Sequence, residues 1–268
     1  MKFVQYQLSD GSVQAGALMD EGVYALNASI LDIIAGKVQP EIGALVPDAK
    51  LIAPLKPGKL LCVGRNYAEH AAELNNPLPK KPLIFSKFPS CVIANGDTIQ
   101  WHSSITQQVD WEGELVVVIG KAAKNIREED AYEHIFGYTI ANDVSARDLQ
   151  DNDGQWTRAK GMDTFCPLGP SIVAKEDIPD PHALKIKTTV NGETMQDGNT
   201  SDMIFKVPFL VAYLSQTFTL EPGDVILTGT PSGVGKGMKP PRFLQSGDTV
   251  SVMIAGIGLL ANACAVVG

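Results

Sequence analysis

The stretch VDWEGELVVVIG, residues 109–120, decides how the rest of the chain is read. At a strand's period of two, Asp110, Glu112 and Glu114 share one face, and Trp111, Gly113 and Leu115 share the other. The apolar run at 115–119 reads as a buried strand, so both glutamates enter the fold at or near its core, with Cα atoms about 6–7 Å apart. Two like charges there repel, and either one takes up a proton or a cation sits between them. Taken alone, a Glu-x-Glu pair is more often the wet side of a half-exposed strand, so the other acidic residues decide.

The chain has 268 residues, enough for one large domain or a domain with a small appendage. With 44% hydrophobic and 19% charged residues, it has the composition of an ordered, turn-rich protein. A net charge of -8 argues against nucleic acid as a partner, since a phosphate-backbone binder needs clustered Lys and Arg. The opening MKFVQYQLSDGS has polar residues where a signal peptide needs its apolar block. No run approaches the roughly 20 residues of a membrane span, so a cytoplasmic protein with no membrane partner is expected. Cys62, Cys91, Cys166 and Cys264 are scattered, which indicates neither a disulfide framework nor a zinc knuckle.

Residues 2–8, 13–18 and 23–26 read as short strands, and 29–34 as a short helix. Residues 53–58 (APLKPG) break any regular element. They are expected to link a small N-terminal β-rich domain, 1–55, to the main domain, 56–268. A strand at 59–63 leads through Gly64-Arg65-Asn66-Tyr67 into helix formers at 68–74, with His70 and Glu73 three apart on one face. Pro77, Pro79 and Pro82 follow, and a short helix fenced by Gly and Pro reads as a mobile flap. Further on, 128–136 reads as a helix and 137–142 as a strand ending at Asp143. Residues 164–173, with Pro167 and Pro170, read as an irregular crossing segment. Residues 184–196 form a hairpin around Asn191-Gly192, and 201–214 a helix. Strands are expected at 224–227 and 249–254. Many short strands without regular βαβ alternation predict an α+β, mainly antiparallel β fold.

Glu112, Glu114 and Asp143 end apolar segments with no His or Cys beside them, a set suited to a hard cation such as Mg²⁺, Mn²⁺ or Ca²⁺. Three carboxylates around one divalent ion leave a net charge near -1, and open coordination positions would serve substrate or water. Lys160 is the natural counter-charge across the site. The glycine-rich segment 233–237 fails the dinucleotide pattern at Met238, and the Walker pattern at Gly237 and Thr230. It reads instead as a tight turn or pocket wall whose N–H groups can hold a carboxylate.

VGRNYAEHAAEL (63–74), DWEGELVVVIG (110–120), ANDVSARDLQ (141–150), KGMDTFCPLGP (160–170), VNGETMQDGNTSDMIF (190–205) and ILTGTPSGVG (226–235) together resemble the fumarylacetoacetate hydrolase family, in order, from Leu60 to the end. The resemblance implies a mixed β-sandwich/β-roll catalytic domain and a homodimer. It places the metal carboxylates on Glu112, Glu114 and Asp143, and the site's basic residue on Lys160. A His-x-x-Glu pair, which activates water in related acylpyruvate hydrolases and oxaloacetate decarboxylases, falls on His70 and Glu73. Arg147 and Gln150 fall near the substrate's carboxylate, Thr230 in the loop that closes over it, and Arg65 and Tyr67 just before the flap. The implied activity is hydrolysis of a C–C bond in a small 2,4-dioxo, acylpyruvate-like acid through a metal-bound enolate. Oxaloacetate decarboxylation, or isomerisation of 2-hydroxyhepta-2,4-diene-1,7-dioate, is the alternative use of the same Mg²⁺ or Mn²⁺ site.

Overall fold

In the computed structural model, which describes residues 1–268, the chain folds into nineteen strands and five α-helices joined by short 3-10 turns. The first part holds β1 (Lys2–Gln7), β2 (Val13–Met19), β3 (Gly22–Leu26), α1 (Ile30–Ile34), β4 (Ile42–Val46) and β5 (Lys50–Ile52). Next come β6 (Leu60–Gly64), α2 (Ala68–Glu73), β7 (Leu83–Lys87), β8 (Val92–Ile93), β9 (Thr98–Trp101), β10 (Val109–Asp110), β11 (Gly113–Ile119) and β12 (Ile135–Asn142). The last part holds β13 (Ser145–Ala146), α3 (Arg147–Asp153), α4 (Thr157–Lys160), β14 (Cys166–Ala174), β15 (Lys185–Val190), β16 (Glu193–Asn199), α5 (Val207–Thr217), β17 (Val225–Leu227), β18 (Thr249–Ile254) and β19 (Gly258–Val266).

β11 lies inside a twelve-stranded sheet of order β4-β3-β2-β1-β14-β12-β11-β17-β6-β7, with β5 on β1 and β8 on β14. A second sheet, β16-β15-β18-β19-β9, covers one of its faces. Leu115, Val117 and Ile119 pack with Ile186, Val252 and Ile254 of that sheet and with Leu210 and Leu214 of α5. Val116 and Val118 pack on the other face with Phe3, Ile30 and Ile33. Both faces of β11 are therefore dry, which is why its sequence runs apolar without alternation. Each of these five side chains, fully buried, contributes roughly 1.5–3 kcal/mol relative to exposure. The strand-rich α+β architecture is the one the sequence implied.

Several local expectations change. β1 pairs antiparallel with β14, so the N-terminal strands extend the main sheet, and Phe3, Leu26 and Ile30 share one core with Leu60, Val116 and Leu168. The segment 53–58, at the expected boundary, contains neither helix nor strand. Residues 166–174, expected to be irregular, form the nine-residue strand β14. Its prolines are tolerated because the β12–β14 ladder shifts register between Tyr138 and Ile140, beside Gly169-Pro170, and Pro167 pairs with the two-residue β8. Residues 128–134 form a 3-10 helix. α5 starts at Val207 rather than Ser201, with Pro in its first turn, where a missing N–H costs nothing. The hairpin at Asn191-Gly192 has φ of 52° and 82°, the positive pair a type I′ turn needs. No helix is long and apolar enough to cross a membrane.

Candidate active site

Register assembles the acidic cluster. β11 starts where its antiparallel neighbour β12 ends, with Gly113 opposite Asn142 and Glu114 opposite Ala141. Just outside the ladder, the Asp143 N–H donates to the Glu112 carbonyl at 2.8 Å, and the Glu112 N–H donates to Asn142 Oδ1 at 3.0 Å. Ligand oxygens of Glu112, Glu114 and Asp143 thus lie within 4.8 Å of one another, all three residues buried. Gly113 between the glutamates is a packing requirement: a Cβ there would clash with Thr188 Oγ1 and lie 2.8 Å from Val252 Cγ1 of the covering sheet.

Asp110 goes elsewhere. The strand expected from 110 onward is broken, because Trp111 and Glu112 lie outside β10 and β11. The Asp110 carboxylate instead accepts the N–H groups of Gly235 at 2.7 Å and Lys236 at 3.0 Å, and Arg147 Nε at 2.8 Å. The glycine-rich loop does hold carboxylates, and they are the protein's own.

Three buried cations answer the acids. Lys160 Nζ donates to Glu112 Oε2 and Asp143 Oδ2, both at 2.8 Å, and to Ser145 Oγ at 2.7 Å. Lys87 Nζ donates to Asp143 Oδ1 at 2.5 Å and to the Val144 carbonyl at 3.2 Å. Arg147 Nη1 lies 2.7 Å from Glu112 Oε1 and donates to Gln150 Oε1 at 3.0 Å. Burial alone pushes the Glu112 carboxyl up, but the charges of Lys160, Arg147 and His70 outweigh it and hold it well below the usual carboxylate range. Glu114 has no ion pair and accepts only the Gly229 N–H, at 2.7 Å. Burial, with the charges of Asp143 and Glu112, drives its carboxyl well above the ordinary range. Four carboxylates, Asp110 included, thus face three cations. An all-oxygen donor set with one uncompensated member fits a hard divalent cation.

The flap closes this floor. His70 Nδ1 sits 2.7 Å from Glu73 Oε1, which leaves Nε2 as the nitrogen free for chemistry. Glu73 Oε2 accepts the Gly233 N–H at 2.8 Å, and Ser232 Oγ donates to Glu69 at 3.1 Å, so α2 is latched to the glycine loop. Of the residues singled out in the sequence, Arg65, His70, Glu112, Glu114, Arg147, Gln150, Lys160 and Thr230 line one cavity of about 300 Å³. Asp143 lies beneath it, fully buried, and Glu73 supports His70 from behind. Tyr67, read as a substrate contact, does not line it. Its ring is 2% exposed in the core with Leu115 and Met203, and its hydroxyl has no hydrogen-bond partner. Thr230 Oγ1 donates to the Gly113 carbonyl at 2.9 Å and accepts Gln196 Nε2 at 2.7 Å. Arg65 stands 5.6 Å over the Trp156 ring. Sequence reasoning missed Lys87, Asn142, the Asp110–Arg147 bridge and the rim residues Asp151, Trp156 and Lys236. Only Lys236 carried a local signal, its place in the glycine-rich loop.

The buried carboxylate trio offers oxygen ligands for a metal ion, and His70, held by its own glutamate, offers a ring nitrogen for proton transfer. The chain belongs to the fumarylacetoacetate hydrolase family, an enzyme family whose model, described as Fumarylacetoacetate (FAA) hydrolase C-terminal, matches residues 59–265. It is 49% identical over 235 residues to the oxaloacetate tautomerase YisK of Bacillus subtilis, covering 85% of this chain and 78% of that protein. Among solved structures it is similar to the fumarylacetoacetate hydrolase of psychrophilic Exiguobacterium antarcticum, with a TM-score of 0.91, 40% identity and full coverage of both chains. It also resembles the 2-hydroxyhepta-2,4-diene-1,7-dioate isomerase of Mycobacterium marinum, with a TM-score of 0.85, 38% identity, and coverage of 100% and 99%.

Proposed function

We propose that the protein catalyses keto–enol tautomerisation of a small 2-oxo dicarboxylic acid, with oxaloacetate the first candidate. The observation that carries this is the single cavity histidine, its Nδ1 fixed by Glu73 and its Nε2 facing a cavity floored by the carboxylate trio. The similarity to YisK supports the substrate. Glu112, Glu114 and Asp143 would hold Mg²⁺ or Mn²⁺, whose Lewis acidity stabilises negative charge developing on the 2-oxo group. His70 Nε2 takes the proton from the carbon next to that group and returns it to the 2-oxo oxygen, and the reverse steps regenerate the ketone. Glu73 stabilises the imidazolium formed on the way. The buried Lys160 keeps a positive field beside the oxygen, and the latch of α2 on the glycine loop limits the water that reaches it.

The same His70–Glu73 pair favours a second reading, in which His70 activates a water against the distal carbonyl of an acylpyruvate and a C–C bond is hydrolysed. Oxaloacetate and acetylpyruvate are each offered with EDTA, then with Mg²⁺ or Mn²⁺ restored, while enol absorbance and pyruvate are followed. Metal-dependent loss of oxaloacetate enol without pyruvate is the expected result. Pyruvate from acetylpyruvate selects the hydrolase, pyruvate from oxaloacetate the decarboxylase, and no metal-dependent change with either acid refutes all three. A homodimer is proposed with this reading. Support comes from the exposed Ile42 and Leu45 on the edge strand β4, and a monomeric mass in solution would remove it.

A further inference from the structure

The cavity's cations fall into two groups. Lys160 and Arg147 are about 1% exposed, and each is bound to carboxylates of the floor. Arg65 and Lys236 also line the cavity, but the side chain of neither pairs with Glu112, Glu114 or Asp143. Arg65 has no ion pair and rests over Trp156. Lys236 Nζ lies 2.5 and 2.6 Å from the two carboxylate oxygens of Asp151, another cavity-lining residue. Those side chains are 30% and 56% exposed, and an ion pair that open contributes little, so the ammonium is free to exchange partners. Its backbone is not free. The Lys236 N–H is bound to Asp110, which is itself bound to Arg147, so the loop carries the lysine at a fixed place above the floor.

A fixed backbone with a loosely held head group suits ligand recognition. Floor and flap deal with the 2-oxo end of a substrate, and a monocarboxylate asks nothing more of the cavity. A second carboxylate at the far end needs a cation at the rim. We propose that Lys236 is the residue that selects dicarboxylic substrates: its ammonium leaves Asp151 and pairs with the carboxylate distal to the reacting 2-oxo group. This rests on the 2-oxo-acid reading above and names a specificity determinant for it.

The test uses non-reacting probes on the Mn²⁺-loaded protein: malate, and 2-hydroxybutanoate, which has a methyl group where malate has its distal carboxylate. Calorimetric titration is expected to show tighter binding of malate. The K236M variant should reduce the malate-to-2-hydroxybutanoate affinity ratio about tenfold to hundredfold, K236R should recover most of it, and D151N should raise malate affinity by removing the competing carboxylate. With oxaloacetate, K236M should raise KM by a similar factor while kcat stays within about threefold. A ratio unchanged in K236M overturns the proposal, as does an equal loss for both probes. If the Lys236-dependent preference for malate is present but no 2-oxo acid is turned over, the function reading fails and the rim contact stands. Turnover with a K236M ratio equal to the parent's has the opposite meaning.

Discussion

Replacing Lys87 by Met tests how the acidic floor is held. Lys87 and Asp143 have 0% side-chain exposure and lie 2.5 Å apart. Burial alone depresses a lysine's pKa, yet the negative neighbours, Asp143 foremost, together outweigh it and hold Lys87 above the ordinary lysine value, so its ammonium is charged in the fold. Removing one member of a buried pair leaves the other under-compensated and costs about 3–5 kcal/mol. Asp143 keeps Lys160, which places the expected loss near the lower end. At about 2–4 °C per kcal/mol for a chain of this size, melting should fall by roughly 6–12 °C in calorimetry of the metal-free protein. The double variant K87M/D143N, which removes both charges, should recover a substantial part of that fall and bind metal poorly. A K87M protein melting within about 2 °C of the parent would show that the buried lysine does not hold Asp143.

The H70A variant should lower kcat about a hundredfold to ten-thousandfold with metal affinity intact, read by enol absorbance and by calorimetry. The E73Q variant keeps an acceptor for Nδ1 but loses the charge, so a smaller fall, about tenfold or more, is expected, with metal affinity again unmoved. Glu114, whose carboxyl is raised in the fold, favours the metal-free protein at low pH, and that contribution is lost as pH rises through its folded pKa. Mn²⁺ favours the ionised carboxylate, so titrations in buffers of different ionisation enthalpy should show proton release, and the rise in Tm that Mn²⁺ gives should grow with pH. Glu112 has the opposite sign: its ion pairs stabilise above the unfolded carboxylate range and are lost as pH falls. The G113A variant should melt lower by about 1–3 kcal/mol equivalent, since its Cβ meets Val252, and a neutral result in thermal melts would contradict the close sheet packing.

The grouping of Glu112, Glu114 and Asp143 was legible from a strand's alternation and an acid just past a buried strand, and the His70–Glu73 contact from one helix turn, while the pair's chemical role came only from the family resemblance. What joins them is long-range. Lys87 ends an ordinary strand and gains meaning only where β7 carries it beside Asp143, 56 positions away. Asp110 looked like a third member of the glutamate face until the break at Trp111 turned it to Gly235 and Arg147. Arg147, placed by the resemblance near the substrate's carboxylate, lines the cavity with Nε and Nη1 engaged by Asp110 and Glu112 and with Nη2 lacking a hydrogen-bond partner. β14 was hidden by Pro167 and Pro170, whose missing N–H groups matter less beside a register shift and a short partner strand. No local pattern told that β1 would pair with β14, because nothing in residues 1–8 refers to residues 172 and 173.

Glu114→Gln is the most direct test of the central claim, that the uncompensated buried carboxylate completes a hard-cation site on which catalysis depends. Glutamine preserves the shape and the acceptor for the Gly229 N–H while removing the carboxylate whose ionisation burial, Asp143 and Glu112 oppose. The metal-free variant should melt no lower than the parent, bind Mn²⁺ about a hundredfold or more weakly, and lose metal-dependent oxaloacetate turnover in the same preparation. Parent-like Mn²⁺ affinity together with parent-like turnover in E114Q would contradict it.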